Sequence, residues 1–254
     1  MVMKLFILGR PGCGKSTAAR QIAMLARDNG WSAVRFNDYE ILHRMFLDDT
    51  GGKKFRPAAN GGFEVTDPAV LHEALKELAG RVQEFTFSLE KERLIIIEFA
   101  RSDYRTALKL FRHELLHDAY LLLLYADINM CIQRKSVVYS ANQDDHFVSE
   151  ETIRTYYSYD DLPYIRAHLK ANYGVTDERV KIIKNTGPSM SFFKEVTHFA
   201  QSLLKKETGI SRETDQVPSI SVPASSNEAN QIAHVSQETE PIHIVASVDD
   251  SVEP

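Results

Sequence analysis

The sequence predicts a three-layer α/β/α fold on a five-stranded parallel sheet, with a helical lid and a disordered C-terminal tail. Short apolar runs bounded by turn residues alternate with helix-periodic stretches along the first 207 residues, the pattern of repeated βαβ units. The first run, Leu5-Phe6-Ile7-Leu8, passes through a glycine-rich turn directly into a helical pattern. From Thr208 the composition shifts to Ser, Thr, Pro, Gln and acids, which bury too little apolar surface to fold alone.

Met3 to Leu8 reads as a buried strand. The turn that follows, Gly9-Arg10-Pro11-Gly12-Cys13-Gly14-Lys15-Ser16, fits the phosphate-loop pattern G-x-x-x-x-G-K-[ST] without a mismatch. Its glycines let backbone N–H groups turn toward phosphate oxygens, Lys15 supplies a point charge, and Ser16 offers a hydroxyl to Mg²⁺. The expected nucleotide-binding set is Gly9, Pro11, Gly12, Cys13, Gly14, Lys15, Ser16 and Thr17. A helix from Ser16 to about Asn29 adds the positive end of its dipole and places Ala19, Ile22, Ala23 and Ala26 on one face.

Gly30 ends that helix, and Trp31 to Phe36 gives the second strand. Asn37 and Asp38 come next, then a helix from Tyr39 to Leu47 carrying Arg44. Ligands of open α/β sheets bind at the carboxyl ends of strands, so Asp38 is a candidate base or orienting group; the bland reading makes it a helix cap.

Asp49 to Pro68 reads as a long glycine-rich, basic connection with Lys53, Lys54 and Arg56, and Pro68 opens a helix to about Lys91. Leu94 to Ile97 is a third strand, ending in Glu98-Phe99-Ala100-Arg101. Glu98 stands where a metal-side acid is expected, its alternative being an ion pair with Arg101. One helix is expected from Tyr104 to His117, with His113 and His117 as solvated neighbours, and Ala119 to Tyr125 is the fourth strand.

Ile128 to Val138, bearing Arg134 and Lys135, and Val148 to Tyr157 form a predicted helical hairpin suited to closing over phosphates. Asp160 to Tyr173 gives a further helix, and Arg179 to Lys184 the fifth strand. Asn185-Thr186-Gly187-Pro188 and a last helix to about Lys205 complete the series. The domain is thus expected over 1–207, with a lid at about 127–157, a substrate-side insertion at about 49–91, and the tail at 208–254.

Charge and composition narrow the function. The tail holds eight acids against Arg212, a net −7, which leaves the first 207 residues at +2. A near-neutral domain argues against nonspecific nucleic-acid binding. Cys13 and Cys131 lie in no metal-binding or disulfide pattern, and the longest apolar run, Ala119 to Ala126, is too short to span a membrane. The expected setting is soluble, reducing and cytoplasmic. Within the tail, Ile242 to Val245 is a short apolar piece suited to a partner.

Over roughly residues 1–206 the chain resembles the nucleoside- and nucleotide-kinase branch of the P-loop NTPases, adenylate kinases and polynucleotide 5′-hydroxyl kinases included. The resemblance implies a P-loop kinase type of sheet, ATP and Mg²⁺ as cofactors, and phosphoryl transfer to a small acceptor. Phe36-Asn37-Asp38-Tyr39 is similar to the segment whose Asp takes the proton of the attacking hydroxyl, although the arginine that follows three residues later there is Ile41 here. Glu98-Phe99-Ala100-Arg101 is similar in position to the adenylate-kinase segment whose arginine holds acceptor phosphate. Arg134 matches the lid arginine, and Asn185, Thr186 and Gly187 the loop that packs on adenine.

The expected catalytic set is Lys15, Asp38, Arg101 and Arg134, with Ser16 and Glu98 toward the metal. The leading expectation is an ATP-dependent kinase acting on a hydroxyl of a small molecule or nucleic-acid end. A nucleoside monophosphate kinase and a nucleotide-dependent switch or scaffold are the alternatives.

Overall fold

The computed structural model describes residues 2–58, 62–87, 93–137, 148–159 and 161–213. Five strands, β1 (Val2–Leu8), β2 (Ser32–Asn37), β5 (Arg93–Phe99), β6 (Tyr120–Tyr125) and β7 (Val180–Lys184), form one sheet in the order β2-β5-β1-β6-β7. Every pairing in it is parallel. Side-chain alternation along the strands divides the interior into two cores. Phe6 and Leu8 join one face, Leu5 and Ile7 the other.

On the Leu5 face pack α1 (Lys15–Asp28), through Ala19, Ile22 and Ala26, and α9 (Ser189–Glu213), through Val196, Ala200 and Leu203. The opposite face is covered by α2 (Tyr39–Asp48), α3 (Ala69–Phe87), α4 (Tyr104–Leu108), α5 (His113–Leu116) and α8 (Leu162–Tyr173). Two further helices, α6 (Ile128–Val137) and α7 (Glu150–Thr155), stand at the carboxyl ends of the strands beside a small third cluster of Ala100, Val148, Ile153 and Tyr157. Each fully buried Leu or Ile contributes about 1.5–3 kcal/mol relative to exposure, so the two main cores hold the sheet rigid beneath the site. The register pairs Glu98 with both Ile7 and Asn37, which brings the ends of three strands to one edge.

Several elements differ from the sequence expectation. The stretch from Tyr104 to His117 is not one helix but α4 and α5, with Arg112 extended at φ −62°, ψ 148° between them. Phe111, in the break, packs edge-on against Phe6 at 5.0 Å and stacks with Phe99 at 5.6 Å. Burial of that ring outweighs helix continuity.

The expected loop at 49–68 contains a hairpin, β3 (Phe55–Pro57) with β4 (Phe63–Val65). The Asp49 carboxylate accepts from the N–H groups of Lys53, Lys54 and Phe55 at 3.2, 2.7 and 2.9 Å, and Phe55 and Phe63 pack at 5.4 Å beneath it. Helix α8 carries Pro163 in its first turn, a position that accommodates proline. Helix α9 continues to Glu213, beyond the expected end near Lys205 and into the first residues of the expected tail. Residues 214–254, including Ile242 to Val245, lie outside the described residues, as do 138–147 of the expected lid. Among the described residues no helix is long and apolar enough to cross a membrane.

Candidate active site

The phosphate loop occupies the turn between β1 and α1 and is shaped by backbone conformations that only glycine adopts freely. Gly12 has φ +80° and lies against the backbone of Cys131, and Gly14 has φ +102° beside the Asn185 amide. A side chain at either position would collide as well as strain the chain. Lys15 donates from Nζ to the Arg10 carbonyl at 3.0 Å, so the ammonium is already folded back over the loop.

Three contacts clamp the loop from outside. The Gly9 N–H donates to the buried Tyr104 hydroxyl at 2.7 Å. The Asn185 amide donates to the Cys13 carbonyl at 3.0 Å. Arg10 turns away from the loop interior and donates to the carbonyls of Tyr157 and Ser158 at 2.8 and 2.9 Å, tying the loop to the turn after α7.

A cavity of about 390 Å³ opens over the loop. Pro11, Gly12, Gly14, Lys15, Ser16 and Thr17 line it, and so do Asp38, Glu98, Arg101, Arg134 and Asn185. Four separate strand ends therefore contribute to one space. The remaining expected residues do not join the lining: Cys13 is buried in the core behind the loop, Gly9 lies under the Tyr104 hydroxyl, and Thr186 and Gly187 are exposed on the surface.

Asp38 is the first residue before α2, yet its side chain caps nothing. That role passes to Asn37, whose Oδ1 accepts from the Tyr39 N–H at 3.1 Å. The Asp38 carboxylate turns instead to Arg101, with Oδ2 and Nη1 2.5 Å apart and both side chains buried. Arg101 also donates to the carbonyls of Ala100 and Leu71, each at 2.5 Å. Burial is the largest influence and works to lower the Arg101 pKa; the charge and hydrogen bond of Asp38, with Tyr157 and Tyr156, together outweigh it and leave the guanidinium above its ordinary value.

Glu98 is 3 % exposed and pairs with Arg35 of β2, not with Arg101. Its Oε1 faces that guanidinium, while Oε2 is buried without a hydrogen-bond partner. A buried carboxylate oxygen left open in a cavity that Ser16 also lines is a donor set suited to a hard cation such as Mg²⁺. Among the described residues no cluster of three His, Cys, Asp or Glu forms an all-protein metal cage.

Arg134 donates through Nη2 to the Asn185 backbone carbonyl at 2.9 Å and to its Oδ1 at 3.2 Å. Its Nη1 is buried without a hydrogen-bond partner. Cys131, just behind, is inert: burial pushes its thiol up to about 12. Sequence reasoning missed Arg10, Arg35, Tyr104 and Tyr157. Arg35 alone left a trace, as a charged residue inside an otherwise apolar strand; the others act through contacts between distant segments.

No family model matches the sequence, and no curated protein matches it. Solved structures do resemble it. A shikimate kinase from Acinetobacter baumannii in complex with shikimate has 14% identity and a TM-score of 0.43 over 82% of this chain and 94% of that one. A gluconokinase from Sinorhizobium meliloti has 13% identity and a TM-score of 0.47 over 80% and 97%. An APS kinase from Mycobacterium tuberculosis in complex with AMPPNP and APS has 13% identity and a TM-score of 0.42 over 80% and 95%. The parallel sheet in the order β2-β5-β1-β6-β7, with a phosphate loop after its central strand, is the P-loop kinase fold.

Proposed function

We propose that the chain is an ATP-dependent phosphotransferase that moves the γ-phosphate of ATP to a hydroxyl of a small molecule. One observation carries the reading: the phosphate loop and the buried, ion-paired Asp38 line the same cavity. Bound ATP with Mg²⁺ would supply the transferable phosphoryl group and a divalent charge that offsets its oxygens. The loop N–H groups and Lys15 would hold phosphate oxygens, and Ser16 with Glu98 would hold the cation.

Arg134, which lines the cavity and keeps Nη1 without a hydrogen-bond partner, would offset charge that develops during transfer. Asp38 accepts the proton of the attacking hydroxyl, and Arg101 holds the carboxylate at a fixed angle by two backbone anchors and the ion pair. Arg35 does the same for Glu98. Little covalent work falls to the protein; position and electrostatics supply the rate.

The Asp38→Asn variant tests the assignment. It keeps the shape and removes the proton acceptor, so kcat should fall by about 10²- to 10⁴-fold while ATP affinity stays near that of the parent. A change confined to KM would instead favour an acceptor that is already a phosphate and needs no base.

A further inference from the structure

The walls of the cavity differ in charge. Lys15 and Arg20 stand on α1 and Arg134 and Lys135 on α6, the elements that carry and flank the phosphate loop. A second wall comes from the end of β2, α2, α3, the end of β5 and the turn after α7, and Asn185, Ser189, Phe192 and Phe193 add the residue after β7 and the start of α9. Leu42, Leu71, Phe99 and Tyr157 make the second wall largely apolar, and of its charged members Asp38 pairs with Arg101 and Glu98 with Arg35.

Resting on the phosphotransferase reading, we propose that the acceptor is a hydroxyl compound bearing no phosphate or carboxylate, whose apolar or aromatic body lies against Leu42, Leu71 and Tyr157.

The first support is the state of Arg101, the one cation of this wall among the described residues. Its charge is matched by Asp38, and both terminal nitrogens already donate to backbone carbonyls. Only Nε is buried without a hydrogen-bond partner, a single donor suited to a neutral oxygen. An anionic acceptor would have to break the ion pair and then face the Asp38 carboxylate uncompensated.

Four neighbouring cations are already engaged. Arg35 is drawn to Glu98, Arg44 to Glu77 at 2.6 Å, Lys54 to Glu73 at 3.2 Å and Arg56 to Glu64 at 2.6 Å. Residues 59–61 and 138–147 contain no Lys or Arg in sequence. A second cavity of about 180 Å³ shares Leu71 and Tyr157 with the first, and its one charged lining residue is the carboxylate Glu64. An acceptor that extends from Asp38 past Leu71 therefore meets apolar surface and a carboxylate already paired with Arg56. Among the described residues, at neither point does the lining offer a cation without an acidic partner.

The experiment uses the full chain with γ-labelled ATP, Mg²⁺ and matched acceptor pairs: nucleosides with their 5′-monophosphates, free sugars with sugar phosphates, and aromatic alcohols with hydroxylated aromatic acids. The neutral member should be used at least about 10-fold better in kcat/KM, a difference of about 1.4 kcal/mol. With ADP bound in place of ATP, the neutral member should also raise the melting temperature and its anionic partner should not. Label passing preferentially to the anionic members, or stabilisation by them alone, overturns the inference and leaves phosphoryl transfer standing. If ATP binds and no member of any pair is labelled, the phosphotransferase reading falls and the inference falls with it.

Discussion

Asp38 and Arg101 reach each other from the ends of neighbouring strands, β2 and β5, and form a buried ion pair with oxygen and nitrogen 2.5 Å apart. The pair converts two residues separated by 63 positions into one unit: Arg101 is fixed by the carbonyls of Leu71 and Ala100, and Asp38 is fixed by Arg101. Its geometry holds the Asp38 carboxylate in the cavity over the phosphate loop, as the proposed role of proton acceptor requires.

Removing one partner should be worse than removing neither charge's benefit alone would imply. Arg101→Ala leaves a buried carboxylate without compensation, and urea unfolding should show a loss of about 3–5 kcal/mol. Arg101→Lys keeps the charge but not the forked donors, so it should recover part of the stability and little of the turnover. Equal turnover in Arg101→Lys and the parent would show that the fork positions nothing.

Tyr104→Phe deletes the acceptor of the Gly9 N–H at the start of the phosphate loop. A buried donor left unsatisfied costs about 1–3 kcal/mol, which thermal unfolding should register. Nucleotide affinity measured by calorimetry should fall with it, because the loop loses an outer clamp.

Gly14→Ala should lose nucleotide binding more completely. At φ +102° the added Cβ is strained and falls 2.8 Å from the Asn185 amide nitrogen. That amide holds Cys13 and receives Arg134, so the disturbance spreads to both walls. An affinity within about 2-fold of the parent would contradict this placement.

The hairpin gives a pH prediction. Glu64 is partly desolvated, which works to raise its pKa, but hydrogen bonds from Ser149, Arg56 and Thr152 outweigh this and hold it below the usual carboxylate value. A depressed folded-state pKa means the unfolded chain binds the proton more readily, so this stability is present above the unfolded pKa and is lost as pH falls through the folded one. The urea midpoint should therefore drop on acidification below about pH 4.5, the ordinary glutamate range. The drop should be smaller in Glu64→Gln.

The thiols should be silent in the native protein. Cys13 and Cys131 are both buried, and burial pushes the Cys131 thiol up to about 12. An alkylating reagent at pH 8 should label neither at an appreciable rate until denaturant is added, after which mass spectrometry should count two adducts.

The parts of this fold that were legible in sequence are those written in local pattern. Apolar runs such as Leu94 to Ile97 specify strands buried on both faces, and the spacing from Gly9 to Ser16 specifies a phosphate loop, so the sheet and the loop were read correctly. Asp38, Glu98 and Asn185 stand out in sequence because position at a strand end is itself local information, Arg134 stands out as a cation on the helix after β6, and all four line the cavity. What sequence did not show was pairing. Glu98 with Arg35 instead of Arg101, and Tyr104 beneath Gly9, depend on register and packing between distant segments. The break at Arg112 escaped notice for a related reason: Leu108, Phe111 and Leu115 keep helical spacing, while the burial of Phe111 against Phe6 decides the backbone. The β3–β4 hairpin was hidden by its glycines and charges, since its stability comes from the Asp49 side chain and a stack of aromatic rings below it.

The central claim is phosphoryl transfer from ATP, and the direct measurement is movement of label from γ-labelled ATP with Mg²⁺ into a pool of nucleosides, nucleotides, sugars, small alcohols and 5′-hydroxyl oligonucleotides, with Lys15→Ala as the blank. Label should enter one acceptor class, and the blank should be slower by at least about 10²-fold. Tight ATP binding with label released only slowly to water, equally in the parent and in Lys15→Ala, would contradict the account and identify the chain as a nucleotide-dependent switch or scaffold instead.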